Sequence, residues 1–279
     1  MIAHVTSADG TTIGYRRIGS GPGLVISHGG MGSGHNHLEQ ARALADTFTV
    51  YLPDRRGRGL SGPFGDGYGV RQDAEDLAAV IAATGARYLF GLSVGGASAL
   101  AAALTVPAVE KLAVYEPALS TAPLGWVPRF TAELDRGRTA AALVTAMKGA
   151  QMGPPLLRAA PRPLLELGTY LGLRSEDRRG SGEYEPMRVL AEALRHETRI
   201  LAEMNGRLGD FRTLRTEVLL LGGAKSPAYQ KAALSALERV LPHATRVELP
   251  GVGHEAPWNA GRGGSPERVA AAMRPFFTA

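Results

Sequence analysis

Apolar and polar residues alternate through Ile2–Ser7 and again through Thr12–Ile18, and the intervening Ala8-Asp9-Gly10 is a turn signal. The chain therefore opens on a predicted β-hairpin. Leu24–Ser27 and Phe48–Leu52 are short apolar runs, the pattern of strands buried on two faces, and Leu38–Ala45 between them has helical character. Asp73–Thr84 reads as an amphipathic helix that carries Leu77, Val80 and Ile81 on one face. Tyr88–Phe90 and Leu112–Tyr115 are two further buried strands, separated by a small-residue helix over Ala97–Leu104.

The rhythm changes near Pro117. From there to Arg212 helical segments are separated by proline and glycine clusters, and no strand is predicted. Strand–helix alternation resumes with Val218–Leu221, Tyr229–Leu241, Arg246–Leu249 and Pro266–Phe277. This order predicts an α/β fold with a doubly wound, mostly parallel sheet and an antiparallel hairpin at one edge. The core domain would comprise residues 1–116 and 213–279. Residues 117–212 would form a helical cap inserted after the sixth strand, over the carboxyl edge of the sheet where open α/β sheets place their sites.

Composition narrows the function classes. The 279 residues are 44% hydrophobic and 20% charged, ordinary for a globular chain, and the 36 glycines and 18 prolines are spread between apolar runs rather than arranged in repeats. The absence of cysteine excludes disulfides, thiolate metal sites and a cysteine nucleophile. Met1–Gly10 lacks a basic stretch followed by an apolar one, so the expected location is cytoplasmic. Tyr88–Val109 is uncharged, but Gly91, Gly95, Gly96 and Pro107 divide it into strand, turn and helix, and no membrane partner is expected. The net charge is +5, yet basic residues are scattered among acids and the densest group, Arg55-Arg56-Gly57-Arg58, is short. Nucleic acid is accordingly not an expected partner. The expected partner is a small-molecule substrate, and a homodimer is compatible with the sequence.

Gly91-Leu92-Ser93-Val94-Gly95-Gly96 fits G-x-S-x-G after an apolar strand and before a helix. That context suits a nucleophile, because a serine on a sharp strand-to-helix turn projects its hydroxyl, and the following N–H, from Val94, points toward a substrate oxygen. With this element the chain resembles the α/β-hydrolase family along nearly its whole length. His28-Gly29-Gly30-Met31 resembles the family's oxyanion loop, Asp54-Arg55-Arg56-Gly57-Arg58-Gly59-Leu60-Ser61-Gly62 its D-x-R-G-x-G-x-S element, and Gly251-Val252-Gly253-His254 the segment bearing its catalytic histidine.

The resemblance implies Ser93 as nucleophile, His254 as general base, and Gly30 with Val94 as oxyanion-hole donors, Met31 being the neighbouring candidate. It also implies that Asp54 holds its loop and that His28 is a buried, hydrogen-bonded residue. His35 and His37 could suggest a metal pair, but no carboxylate stands at ligand spacing, and they are read as exposed loop histidines. Neither a metal nor an organic cofactor is implied.

One element departs from the family. Where G-x-x-D-P would place the acid after the Val218–Leu221 strand, this chain reads Gly223-Ala224-Lys225-Ser226-Pro227. A serine can orient an imidazole but cannot stabilise an imidazolium. The family's second location for the acid is the end of the preceding strand, here Tyr115-Glu116-Pro117, so Glu116 is assigned the acid role. Glu255 adjoins His254 in sequence but is discounted, since neighbouring side chains seldom fold back on each other.

The expected activity is hydrolysis of an ester, thioester or lactone of a small to medium, mainly apolar substrate through an acyl-enzyme. The apolar residues of the 117–212 segment form the pocket wall in this reading, with Trp126 the leading lining residue and His196 and Trp258 further candidates. Alternatives on the same scaffold are non-ester chemistry (C–C hydrolysis, lyase or cyclisation steps) and a non-catalytic binding protein whose triad has decayed. A dinucleotide site built on Gly30, Gly32 and Gly34, with Asp54 as the ribose acid, fails because His35 stands where G-x-G-x-x-G needs its last glycine.

Overall fold

A computed structural model describes residues 1–119, 124–153 and 155–279. The alternating segments at the start form strands β1 (Ile2–Thr6) and β2 (Thr12–Gly19), paired antiparallel. The apolar runs become β3 (Gly23–Ser27), β4 (Thr49–Pro53), β5 (Tyr88–Leu92), β6 (Lys111–Tyr115), β7 (Glu217–Gly223) and β8 (Ala244–Leu249). They join in one sheet ordered β1-β2-β4-β3-β5-β6-β7-β8, in which β2 runs antiparallel to β4 and every later pair is parallel.

Helices cover both faces, which is why the central strands carry continuous apolar runs. On one face α2 (Val70–Thr84), α3 (Ser93–Thr105) and α9 (Ala228–Val240) bury Leu77, Val80, Leu100, Leu234 and Leu237 against Val25, Leu89, Leu112 and Leu220. On the other, α1 (Leu38–Leu44) and α10 (Pro266–Thr278) pack Leu44, Val269, Met273 and Phe277 against Leu24, Val50, Phe90 and Leu219. The fold is the expected doubly wound α/β sheet with its hairpin at the edge.

Two helix starts differ from the sequence reading for local reasons. The helix expected over Asp73–Thr84 begins at Val70, because Glu203 accepts a hydrogen bond from the otherwise unpaired Val70 N–H at 2.7 Å. The helix expected from Ala97 begins at Ser93, because a single residue with φ of 52° turns the chain directly from strand into helix.

Between β6 and β7 lie α4 (Val127–Asp135), α5 (Thr139–Gly149), α6 (Pro155–Ala159), α7 (Arg162–Arg179) and α8 (Met187–Glu203). They share a small core of their own, in which Phe130, Leu134, Leu143, Leu173 and Leu194 meet. Among the described residues no helix is long and apolar enough to cross a membrane.

Candidate active site

The parallel register aligns the carboxyl ends of four strands. Ser27 pairs with Gly91, Leu92 with Tyr115, and Tyr115 with Leu221. The residues that follow these ends, His28–Met31, Ser93, Glu116 and Gly223, are thereby brought to one edge of the sheet, facing the β6–β7 helices.

Backbone conformation at this edge is unusual. Only four non-glycine residues among those described have positive φ, and three of them are Met31 (57°), Ser93 (52°) and Glu116 (44°). Such conformations cost on the order of 1–3 kcal/mol each and persist where surrounding structure over-determines them. At Ser93 the determinants are visible. The Ser93 carbonyl accepts a hydrogen bond from the Ala118 N–H at 2.9 Å. A side chain at Gly95 would collide with the carbonyls of Ser27 and His28, and one at Gly91 with Gly95 and Gly96. The glycines let the turn bearing Ser93 press against the end of β3, next to the His28–Met31 loop.

Glu116 is almost wholly buried, and both of its carboxylate oxygens are engaged. Oε2 lies 2.7 Å from His254 Nδ1, and Oε1 accepts the Gly223 N–H at 2.7 Å. The loop that carries His254 is held by the Tyr115 hydroxyl, which donates to the Gly253 carbonyl at 2.8 Å, and by the Lys225 N–H, which donates to Val252 at 2.9 Å. Ser226, at the family's usual acid position, is also buried, but its hydroxyl has no partner among the described residues. Among the described residues Glu255 makes no hydrogen bond to His254, and its carboxylate lies instead beside Gly253.

Sequence reasoning missed Gln230. Its Nε2 lies 2.9 Å from His254 Nδ1, and its Oε1 has no hydrogen-bond partner among the described residues. Turned about its terminal bond, which exchanges the two amide atoms, Gln230 would present that oxygen to the ring N–H alongside Glu116. The neighbouring Tyr229 donates to the Ala150 carbonyl at 2.9 Å, and its pKa is pushed up to about 12 by burial and by the nearby Glu116 charge.

These groups surround one cavity of about 420 Å³, within the range of small-molecule sites. Gly30, Met31, Ser93, Val94, Glu116, Trp126 and His254, each singled out from the sequence, all line it, as does Trp258. The rest of the wall is predominantly apolar, with Leu143, Met147, Met152, Met187 and Leu194 contributed by the β6–β7 segment. His196 is elsewhere, stacked on Phe64 with ring centroids 4.1 Å apart.

Beside the His28–Met31 loop lies a second buried polar group. Glu197 of α8 accepts from Arg55 at 2.6 Å and from Arg58 at 2.7 Å, both through Oε1. Arg55 also pairs with Asp73 at 3.0 Å, and Arg58 donates to the Gly32 carbonyl at 3.1 Å. Glu197 Oε2 has no hydrogen-bond partner among the described residues, and a side chain at Gly30 would meet it at 3.0 Å. His28 behaves as expected: Nδ1 donates to the Gly29 carbonyl at 2.7 Å and Nε2 accepts from the Arg55 N–H at 3.0 Å, which fixes the neutral ring. Burial, followed by the charges of Arg58 and Arg55, holds its pKa well below the usual histidine range. Asp54 accepts from the Gly34 N–H at 2.7 Å, the Leu60 N–H at 2.9 Å and Arg16 at 2.9 Å, the loop-holding role expected of it.

The expectation of exposed loop histidines at positions 35 and 37 is corrected. His37 is completely buried, with Nδ1 2.8 Å from Gln40 Oε1, and His35 is half-buried against Tyr184. Gly34–His37 coil into a short helical turn that leads directly into α1, and the His37 ring lies against Phe90 with centroids 6.4 Å apart. Burial lowers the His37 pKa to about 4.

Residues 24–272 match the model of the alpha/beta hydrolase family. The chain is 29% identical to a pimeloyl-[acyl-carrier protein] methyl ester esterase of Stenotrophomonas maltophilia, over 94% of this chain and 95% of that one. It is 26% identical to a 2-(acetamidomethylene)succinate hydrolase of Mesorhizobium japonicum, over 87% and 85% of the two chains. Its fold superimposes on the crystal structure of an alpha/beta hydrolase from Sphaerobacter thermophilus with a TM-score of 0.78 and 28% identity, covering 99% of this chain and all of that one.

Proposed function

Because the chain belongs to the alpha/beta hydrolase family, we propose that it is a serine hydrolase that cleaves an ester, thioester or lactone of a small to medium, mainly apolar substrate. The observation that carries the reading is the 2.7 Å contact between His254 Nδ1 and Glu116 Oε2 in the cavity that also holds Ser93. An imidazole whose Nδ1–H is committed to a buried carboxylate presents Nε2 as a base.

In this mechanism His254 takes the Ser93 hydroxyl proton as Oγ attacks the acyl carbon, and Glu116 stabilises the imidazolium so formed. The N–H groups of Val94 and of Gly30 or Met31 receive the oxyanion, aided by the α3 N-terminus. Imidazolium returns the proton to the departing alkoxide or thiolate, leaving an acyl-Ser93 ester. Water, deprotonated by the same histidine, then attacks that ester, and the carboxylic acid leaves as Ser93 regains its proton.

Residues 117–212 act in this reading as a cap over a core of residues 1–116 and 213–279, with Trp126 and Met31 shaping the cavity between them. The apolar lining favours an uncharged acyl group over a peptide or phosphate. The test is labelling by a fluorophosphonate together with hydrolysis rates over acyl esters of graded length. Wild type should be modified and should show a chain-length optimum, and Ser93→Ala should lose both. An unlabelled wild type, or a Ser93→Ala variant labelled equally, would overturn the proposal.

A further inference from the structure

The cavity wall carries one carboxylate and one strongly basic side chain. The carboxylate, Glu116, is committed to His254 and to the Gly223 N–H. The basic side chain is Arg262, the only lysine or arginine among the described lining residues. Arg55 and Arg58 are buried and paired with acids, whereas Arg262 is exposed to solvent as well as lining the cavity, so it stands at the opening.

Its place there is fixed by the residues around it. The chain after His254 folds tightly, the Trp258 N–H donating to the Glu255 carbonyl at 2.9 Å. The Arg262 N–H donates to the Asn259 carbonyl at 2.8 Å, closing a single helical turn, Ala260–Arg262. The guanidinium carbon lies 4.9 Å from the centroid of the Tyr184 ring. Tyr184 is held in turn, its hydroxyl accepting from Asn259 Nδ2 at 3.2 Å and its ring meeting His35 edge to face. Beyond that ring the guanidinium makes no hydrogen bond or ion pair among the described residues. The acid next to Tyr184, Glu183, reaches His35 Nε2 at 3.6 Å instead. A guanidinium set against an aromatic ring is held in place with its N–H donors free to take a carboxylate or phosphate through two parallel bonds.

We propose that Arg262 is an anion subsite at the cavity opening, and that the substrate carries a carboxylate or phosphate on its alcohol or thiol portion. This rests on the serine-hydrolase reading, whose proton path decides which portion is charged. His254 returns its proton to the leaving group, so the leaving group lies on the His254 side of Ser93. The segment running from His254 through Trp258 to Arg262 lines the cavity on that side as far as the opening. The acyl group takes the apolar wall, where an anion would be stripped of water without a partner. At the opening it meets Arg262 while still partly hydrated.

Three esters of one acyl group test the proposal: with para-hydroxybenzoate, with para-hydroxyphenyl phosphate, and with the neutral methyl para-hydroxybenzoate. Wild-type kcat/KM should favour one of the anionic esters over the neutral one by about tenfold, mainly through KM, because the contact exists before and during the chemical step. Which anionic ester gains more distinguishes carboxylate from phosphate. The preference should shrink as salt is raised from about 20 mM to about 500 mM. Being a ratio within each variant, it is insensitive to a general loss of rate. Arg262→Met should abolish it, Arg262→Glu should invert it, and Arg262→Lys should restore part of it. Tyr184→Leu, which frees the guanidinium, should reduce it by about threefold. A wild type without the preference, or a preference that survives in Arg262→Met, would overturn the subsite while fluorophosphonate labelling of Ser93 remained. A wild type that is not labelled would overturn the hydrolase reading, and the subsite with it.

Discussion

On one side of the cavity a single carboxylate, Glu116, meets a single histidine. On the other, beside the His28–Met31 loop, Glu197 and Asp73 close on Arg55 and Arg58. Both groups are buried, but they are built on opposite principles. The second cancels its own charge, two acids against two arginines, and binds helix α8 to the core loops. The first is one carboxylate shared between His254 Nδ1 and the Gly223 N–H, bridged by no lysine or arginine among the described residues, and in the proposed mechanism its charge meets the proton that His254 takes up. A buried charge that is balanced locally serves the fold, while one left unbalanced is positioned to act on whatever titrates beside it.

Substitutions can break this contrast. The largest effect is expected at Glu116: the Gln variant keeps the size and one acceptor but not the charge, and kcat should fall by about 10³–10⁴-fold. Its melting temperature should move far less than its rate, and a fully active Glu116→Gln enzyme would refute the proposed acid. Glu197→Ala should show the reverse pattern. Leaving Arg55 and Arg58 short of a buried partner should cost about 3–5 kcal/mol of stability by urea denaturation. Fluorophosphonate labelling should survive wherever this variant remains folded.

Acid provides a third, intermediate probe. His37 is neutral in the folded chain, with a pKa near 4 against an ordinary 6.5, and His28 is shifted in the same direction. The unfolded chain therefore binds more protons between these values, and stability falls as pH drops from about 6.5 toward 4. For His37 the full loss is about 3 kcal/mol. Denaturation midpoints at pH 7.5 and pH 5 should differ in that direction, and His37→Gln should flatten part of the slope. The smallest effect is expected at Ser226→Ala. Removing a buried hydroxyl without a partner should change stability by less than about 1 kcal/mol and leave the rate within a few-fold. A large loss of activity there would return the histidine-orienting role to β7.

The sheet and the positions of Ser93 and His254 at its carboxyl edge were legible because they leave local traces. Strands buried on two faces appear as apolar runs, and the turn bearing Ser93 announces itself through Gly91, Gly95 and Gly96. The assignment of Glu116 came from an absence, Ser226 standing where an acid was expected, and the 2.7 Å contact with His254 now accompanies it. Gln230 and Glu197 were not found, since their partners lie 24 and 142 residues away. Glu197 did leave a signal: it interrupts the α8 stripe of Leu190, Leu194 and Leu201, and an acid on an apolar stripe must find a cation. His37 was misjudged because loop position says nothing about what covers a loop; that depended on α1 and on Phe90, whose ring meets His37 at 6.4 Å.

The position of Glu116 at the end of β6 also bears on how the site comes into being. Ser93 and Glu116 belong to one strand–helix–strand unit, β5-α3-β6, closed by contacts between near neighbours in the chain. His254 must be delivered from 138 residues further on. Contacts between distant segments carry the heavier loop-closure cost and dominate folding times. During refolding the proposed nucleophile, Ser93, and the proposed acid, Glu116, should therefore be in register before the proposed base, His254, arrives. Labelling of Ser93 should recover only with the final docking of the β7–β8 segment, after most of the helical signal has returned. Had the acid remained after β7, two of the three groups would have depended on that late event rather than one.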